Sequence, residues 1–419
     1  MHSAQSTSTI QKYKAVDEKP SRLRGIKSNL QRSKADLIFL FIYCIVCFLI
    51  FYAIIYLRIG TDLQLHIKLL KEYVLHNSFP NPPLYYLSIY ILDLAFSSGF
   101  KISTIIVLTL ASAYKYFIVA NYIAEDKIQN NKCRIIRSLI IFLLMFLGPI
   151  IIYPWDGSRW YLGKFTSTIW HNSTTIFMFP IAILLFIKSI ELFRRIHFKN
   201  ILFVLFLSVL LILSKPSFLF ALIPSLPMVY LIEVKRIDKK FVQISALMAL
   251  VFALLLVQKE LIYNSELDNL AYNGDESGIT LAPFKVWLIW ANNPLISILS
   301  SFALLITIVT LNFRVMVNKL DFKFASVLLM TSLVIYFLLA ESGPRMLHAN
   351  FYWQVPVAFL ICYMVVIKIY LKSLWSTYGG IISWKEIKLK DYFILTMYSM
   401  HLGSGLLYIA KLIIFKHYR

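Results

Sequence analysis

Residues 37–66 read LIFLFIYCIVCFLIFYAIIYLRIGTDLQLH. From Leu37 to Leu57 the stretch carries no charge. About 20 consecutive apolar residues are what a helix needs to cross a bilayer's hydrocarbon, so this segment is a membrane span. Arg58 ends it, and the pattern then changes. Leu63, Ile67, Leu70 and Val74 recur at helical spacing, with Gln64, Lys68, Lys71 and Glu72 between them. That alternation predicts an amphipathic helix lying on the membrane surface. Asn77-Ser78-Phe79-Pro80-Asn81-Pro82-Pro83 stops it, because proline cannot continue a helix.

The same kind of apolar run recurs down the chain. Further candidates lie near 84–100, 102–124, 137–153, 174–193, 199–213, 216–233, 241–257, 286–311, 324–340, 353–372 and 391–415. The expected fold is all-α, a polytopic transmembrane helical protein of about 11–12 spans with a surface helix in its first external loop. Of 419 residues 59% are hydrophobic, above the half typical of soluble domains. Residues 1–35 hold Lys12, Lys14, Lys19, Arg22, Arg24, Lys27, Arg32 and Lys34 and no apolar run. They read as a flexible basic cytoplasmic segment without a signal peptide, and 36–419 as a single transmembrane domain.

The formal charge is +21. In a soluble protein this would suggest nucleic acid. Here Lys and Arg cluster between spans, as cytoplasmic loops do, so no nucleic-acid partner is expected. Basic blocks at 194–199, 235–240, 314–323 and 385–390 set those connections inside. Connections 154–173, 258–285 and 341–352 then face the other side. Lys127, Lys132, Arg134 and Arg137 put 125–137 inside as well, which requires that 84–100 or 102–124 not be a full crossing. The 84–100 segment carries Asp93 and is the weaker span. Cys44, Cys47, Cys133 and Cys362 show neither disulfide nor zinc spacing. Walker A, GxGxxG and HExxH motifs are absent.

Four polar groups share the expected external side. Asp62 and His66 are i,i+4 on the surface helix and so face one way. Asp62 is either the start of that helix as a cap or a partly desolvated carboxylate able to accept a proton from a sugar hydroxyl. Trp170-His171-Asn172-Ser173-Thr174 opens a span, where it can cap the helix or orient a sugar or phosphate. Lys215, in Ser214-Lys215-Pro216-Ser217, either snorkels to headgroups or holds a lipid phosphate as a point charge. Glu341-Ser342-Gly343-Pro344-Arg345-Met346-Leu347-His348-Ala349-Asn350-Phe351-Tyr352-Trp353 gathers a carboxylate, a guanidinium, an imidazole and an amide in one short loop. It is either a polar loop with an internal Glu–Arg pair or a site for phosphate and sugar.

These motifs and the layout resemble the GT-C superfamily of polytopic glycosyltransferases, in the type encoded with bacterial surface polysaccharides. The resemblance spans most of the chain. It implies transfer of a sugar, with inversion, from a polyprenyl-phosphate donor to a lipid-linked glycan or surface polymer. It also implies a bacterial inner-membrane location, with the N-terminus in the cytoplasm. Asp62 would be the general base, and Arg345 and Lys215 would stabilise the leaving phosphate. His66, His171, Asn172, Glu341, His348 and Asn350 would bind sugar groups, and Trp170, Tyr352 and Trp353 would pack sugar or prenyl chain. Without a paired acidic motif beside Asp62 a divalent metal is not supported. A polysaccharide polymerase or ligase handles the same carriers, and a lipid-linked-sugar flippase is the non-enzymatic alternative. The transferase reading requires all these clusters to meet in one cavity.

Overall fold

The computed structural model of the chain describes residues 34–124, 131–157, 159–263, 278–378 and 387–416. The expectations for the N-terminal segment up to residue 33, for 125–130, for 264–277 of the 258–285 connection, and for 385–386 of the 385–390 block lie outside the described residues.

The protein is all-α, and it is an integral membrane protein by the length and apolarity of its helices. The long apolar helices of the bundle are α1 (Lys34–Tyr56), α4 (Lys101–Ile123), α7 (Ser173–Arg194), α8 (Phe198–Ser214), α9 (Ser217–Val234) and α10 (Lys239–Tyr263), followed by α12 (Pro294–Met316), α13 (Leu320–Leu338), α14 (Gln354–Tyr378) and α15 (Leu389–Ile414). Nine of these ten are long enough to cross a membrane, and α8 is a shorter apolar helix. With no hydrophobic drive between helices in lipid, close packing must hold such a bundle. Accordingly α14 is the most enclosed, packed against α4, α7, α9, α12 and α13.

The surface helix α2 (Asp62–Leu75) buries Leu63, Ile67, Leu70 and Tyr73 and exposes Lys68, Lys71 and Glu72. Gln64 fixes its angle to α1 by donating to the carbonyl of Ile55 at 2.9 Å. That carbonyl belongs to the last turn of α1, where no intrahelical donor remains.

The next segment is the weaker of the two candidate spans before 125–137. Residues 84–100 do not cross. They form α3 (Leu84–Phe96), whose 13 residues reach only about 20 Å at 1.5 Å per residue. Both its ends lie beside α2 and the end of α1. Tyr86 meets His66, and just past its far end Lys101 starts α4 over the ring of Tyr56. Asp93 caps this turn, accepting from Ser98 Oγ at 2.6 Å and Ser103 Oγ at 2.7 Å. The inside/outside conflict at 125–137 disappears with this span removed.

Residues 137–153 correct one expected span. Helix α5 (Asn131–Leu144) covers only the first part of that stretch. Midway along it Arg137 pairs with Asp36 of α1 at 2.8 Å. From 145 to 152 the chain runs without helix, and α6 (Tyr153–Asp156) follows. Irregular backbone at membrane depth needs protein partners for every polar group. Gly148 N–H donates to the His401 carbonyl, and Gly148 O accepts from His401 Nδ1 at 2.7 Å. Ile150 N–H goes to the Ser300 carbonyl, Ile151 N–H to Ser404 Oγ, and Leu147 O takes Thr168 Oγ1. Lys164 Nζ reaches Ile150 O at 2.7 Å and Asp156 at 2.5 Å. Ser300 O thus serves Ile150, and Leu304 N–H donates to His401 Nε2 at 3.2 Å.

The chain reversals 195–197, 235–238 and 317–319 lie at the end of the bundle opposite α2, and each falls within a basic block, 194–199, 235–240 and 314–323. At the α2 end, strand β1 (Ile279–Leu281) pairs antiparallel with β2 (Leu339–Glu341), Ile279 opposite Glu341. The short helix α11 (Lys285–Trp290) follows β1.

Candidate functional site

One cavity of about 920 Å³ opens at the α2 end, between α2, the start of α7, the α8–α9 turn and the 339–353 loop. Asp62, His66, His171, Asn172, Lys215, Glu341, Arg345, His348, Asn350 and Trp353 all line it. Trp170 does not. It is buried between Phe51 and Phe146, stacked on the latter with ring centroids 5.9 Å apart. The aromatic that precedes His171 in sequence is thus a core residue, because side chains of an extended segment alternate in direction.

Local chain geometry explains each placement. Thr61 is the N-cap of α2 yet makes no side-chain capping bond, and Asp62 is the first helical residue. The carboxylate is therefore not consumed as a cap. It accepts from Asn172 Nδ2 at 2.6 Å, while its own backbone N–H donates to the His171 carbonyl at 3.2 Å. Its other oxygen, Oδ1, has no protein partner among the described residues.

Asn172 is the N-cap of α7. Its Oδ1 accepts from Thr175 N–H at 3.0 Å, Thr175 Oγ1 at 2.6 Å and Thr174 Oγ1 at 3.2 Å. The cap and the contact with Asp62, which lines the cavity, are thus made by one side chain.

Pro216 sets Lys215. A residue before proline is driven to extended backbone, and Lys215 adopts φ −161, ψ 106, which ends α8. Its Nζ then donates to Asn172 Oδ1 at 3.0 Å and Thr174 Oγ1 at 2.9 Å, and lies 4.9 Å from the centre of the Trp353 ring. Burial lowers its pKa to about 7, against the opposing pull of Asp62 and Glu341. The ammonium is thus poised to gain or lose its proton at neutral pH.

His66 Nδ1 and the Tyr86 hydroxyl are 2.6 Å apart. His171 stands edge-on to Trp353, with Tyr408 Oη 3.4 Å from its Nδ1. Burial first, and Lys215 with it, push His66 down to about 4, and Asp62 opposes. His171 is likewise lowered to about 4, by burial above all. Both imidazoles are neutral at pH 7 and act as hydrogen-bonding groups rather than charges.

Across the cavity, Glu341 is the last residue of β2 and accepts from Asn350 Nδ2 at 2.7 Å. Two left-handed residues, Gly343 (φ 67) and Ala349 (φ 52), fold 343–348 into a tight 3₁₀ turn that carries Arg345 and His348. Arg345 is 9% exposed. Tyr352 donates from its hydroxyl to the Lys164 carbonyl at 3.0 Å, tying this loop to the 145–165 region.

Sequence reading missed Tyr86, Tyr161 and Tyr408 as lining residues. Tyr161 and Tyr408 stack with centroids 3.5 Å apart. A tyrosine near a span end reads as an interfacial anchor, so no local signal distinguished them. One wall is apolar, built from Phe220, Ile223 and Pro224 of α9 and Phe252, Leu255 and Leu256 of α10. Phe252 and Leu256 are also exposed on the flank of the bundle.

Among the described residues no three His, Cys, Asp or Glu side chains gather as a metal-holding group. Compared with known proteins, the chain matches no family model and no curated protein sequence.

Proposed function

We propose that the protein is a membrane glycosyltransferase that moves a sugar from a polyprenyl-phosphate donor to a hydroxyl of a lipid-linked glycan or surface polymer. The observation that carries this reading is the meeting of a carboxylate, two cations and an apolar wall in one cavity. Asp62, Lys215 and Arg345 come from three distant stretches of sequence and line the same space. Such a space fits a ligand with a hydroxyl-rich body, an anionic link and an apolar tail.

In the reaction, the acceptor hydroxyl oxygen attacks the anomeric carbon from the face opposite the phosphate. The bond from that carbon to the phosphate oxygen breaks, and its electron pair leaves with the phosphate. Asp62 Oδ1 takes the hydroxyl proton, and the configuration inverts. Lys215 and Arg345 neutralise charge building on the departing phosphate, where preorganised donors are most effective. Neutral His66 and His171 orient hydroxyls, and Trp353 and Tyr352 pack the sugar face. The prenyl chain lies along the α9–α10 wall and leaves the bundle past Phe252 and Leu256.

Basic reversals at the end opposite the cavity favour a cytoplasmic N-terminus and an external site, as in a bacterial inner membrane. The test is transfer in proteoliposomes. Purified protein should move a single sugar from polyprenyl-phosphate sugar to a lipid-linked acceptor. Movement of an intact oligosaccharide from a lipid carrier would instead favour a polymerase or ligase. Translocation without transfer would favour a flippase.

A further inference from the structure

We infer that Asn172 is a positioning residue that joins Lys215 and Asp62 into one unit, so that an anion held at Lys215 releases Asp62 to accept a proton. The inference rests on the transfer reading above and adds an order of events to it.

The amide orientation is fixed by the fold. Thr175 N–H can only donate, so the Asn172 atom facing it must be the oxygen. The nitrogen is then forced toward Asp62, at 2.6 Å. A bond from an amide donor to a carboxylate at that distance is charge-assisted and strong. Lys215 Nζ sits on the same amide oxygen at 3.0 Å. A cation there draws electron density to the oxygen and makes the amide N–H a better donor, as hydrogen bonds in a chain polarise one another. Seated on the amide oxygen, Lys215 therefore tightens the hold on Asp62 without touching it.

A phosphate entering the cavity competes for the ammonium. When Lys215 turns to it, the amide loses its polarising partner, and its grip on the carboxylate loosens. Asp62 becomes a better proton acceptor only once the donor is seated. The other groups facing this unit do not replace that control. His66 from α2 is held by Tyr86 of α3, His171 lies beside Tyr408 of α15, and both imidazoles are neutral at pH 7. Glu341 from β2 acts on Lys215.

The experiment is an infrared titration of the Asp62 carboxyl band in reconstituted protein, assigned by its loss in Asp62→Asn. Asn172→Asp and Asn172→Ser both retain an N-cap acceptor for α7. In Asn172→Asp the midpoint should rise by about one pH unit or more, since like carboxylates sharing a site oppose ionisation. In Asn172→Ser it should rise less. The acid limb of kcat/KM should move with it, while thermal unfolding stays near wild type. Farnesyl phosphate should raise the wild-type midpoint and raise it less in Lys215→Met. An infrared midpoint unchanged in Asn172→Ser, or a farnesyl phosphate shift as large in Lys215→Met as in wild type, overturns the inference, whatever the transfer assay shows. A shifted midpoint in protein that transfers no sugar supports the coupling and overturns the transfer reading instead.

Discussion

Two polar regions sit side by side at the α2 end of the bundle, and they differ in where their hydrogen bonds go. Around 145–152, Ser300, Ser404, His401, Thr168, Lys164 and Asp156 direct their polar atoms at one stretch of irregular backbone. Protein seals that region, and its ion pair is 1% and 4% exposed. Around Asp62 the same residue types surround open space. Asp62 Oδ1, Arg345, His348 and the two imidazoles line a cavity rather than a crossing chain. A polar residue within a membrane protein is a functional-site hypothesis by default. In the sealed region backbone partners account for the polar residues, and the hypothesis is kept for the residues that border a cavity.

This contrast predicts that substitutions in the sealed region change stability, whereas substitutions at the cavity change transfer. Lys164→Met should have the largest effect. It strands Asp156 as a buried charge, at a cost of about 3–5 kcal/mol, read as a lower thermal midpoint in detergent. His401→Leu comes next. It orphans Gly148 O and Leu304 N–H, roughly 1–3 kcal/mol for each, with specific activity of the folded fraction preserved. If either variant keeps its stability and loses only transfer, the division between the two regions is wrong.

On the cavity side, Lys215→Met should raise the donor KM about tenfold to a hundredfold, the range for one charged hydrogen bond of 1.5–3 kcal/mol. The sign of its pH dependence follows from the lowered Lys215 pKa of about 7. The donor phosphate binds the protonated amine, which is present below pH 7 and is lost above it. Wild-type donor KM should therefore rise above pH 7, by about tenfold per unit at most. Lys215→Arg, charged throughout, should flatten that limb, and a limb that persists in Lys215→Arg assigns the titration elsewhere. The smallest effect is expected for Glu72→Gln, on the solvent side of α2, where the Lys68 pair is exposed. It should stay within about 0.5 kcal/mol of wild type, with transfer unchanged.

Much of this division was legible in the sequence. Apolar length placed the spans, and helical spacing placed α2 with Asp62 and His66 on one face. The basic loops placed the four polar clusters on one side, and in the structure these clusters share one cavity. What escaped was tertiary. The charge pattern marked 84–100 as the weaker span, but not that α3 lies against α2 with its Asp93 serving a turn. The break after Leu144 depends on His401 and Ser404, more than 250 residues away, so no local pattern could mark it. Trp170 and His171 are adjacent in sequence yet point to core and cavity. Asn172 looked like a cap or a ligand, and its link to Lys215 exists only because Pro216 bends that lysine inward.

The central claim is that Asp62 accepts the proton of the attacking hydroxyl. The most direct measurement is the single-turnover transfer rate of Asp62→Asn in proteoliposomes with saturating polyprenyl-phosphate sugar, matched to wild type in reconstituted amount and thermal midpoint. Loss of a general base predicts a fall of about 10²–10⁴-fold with little change in donor KM. A rate within a few fold of wild type would contradict the account.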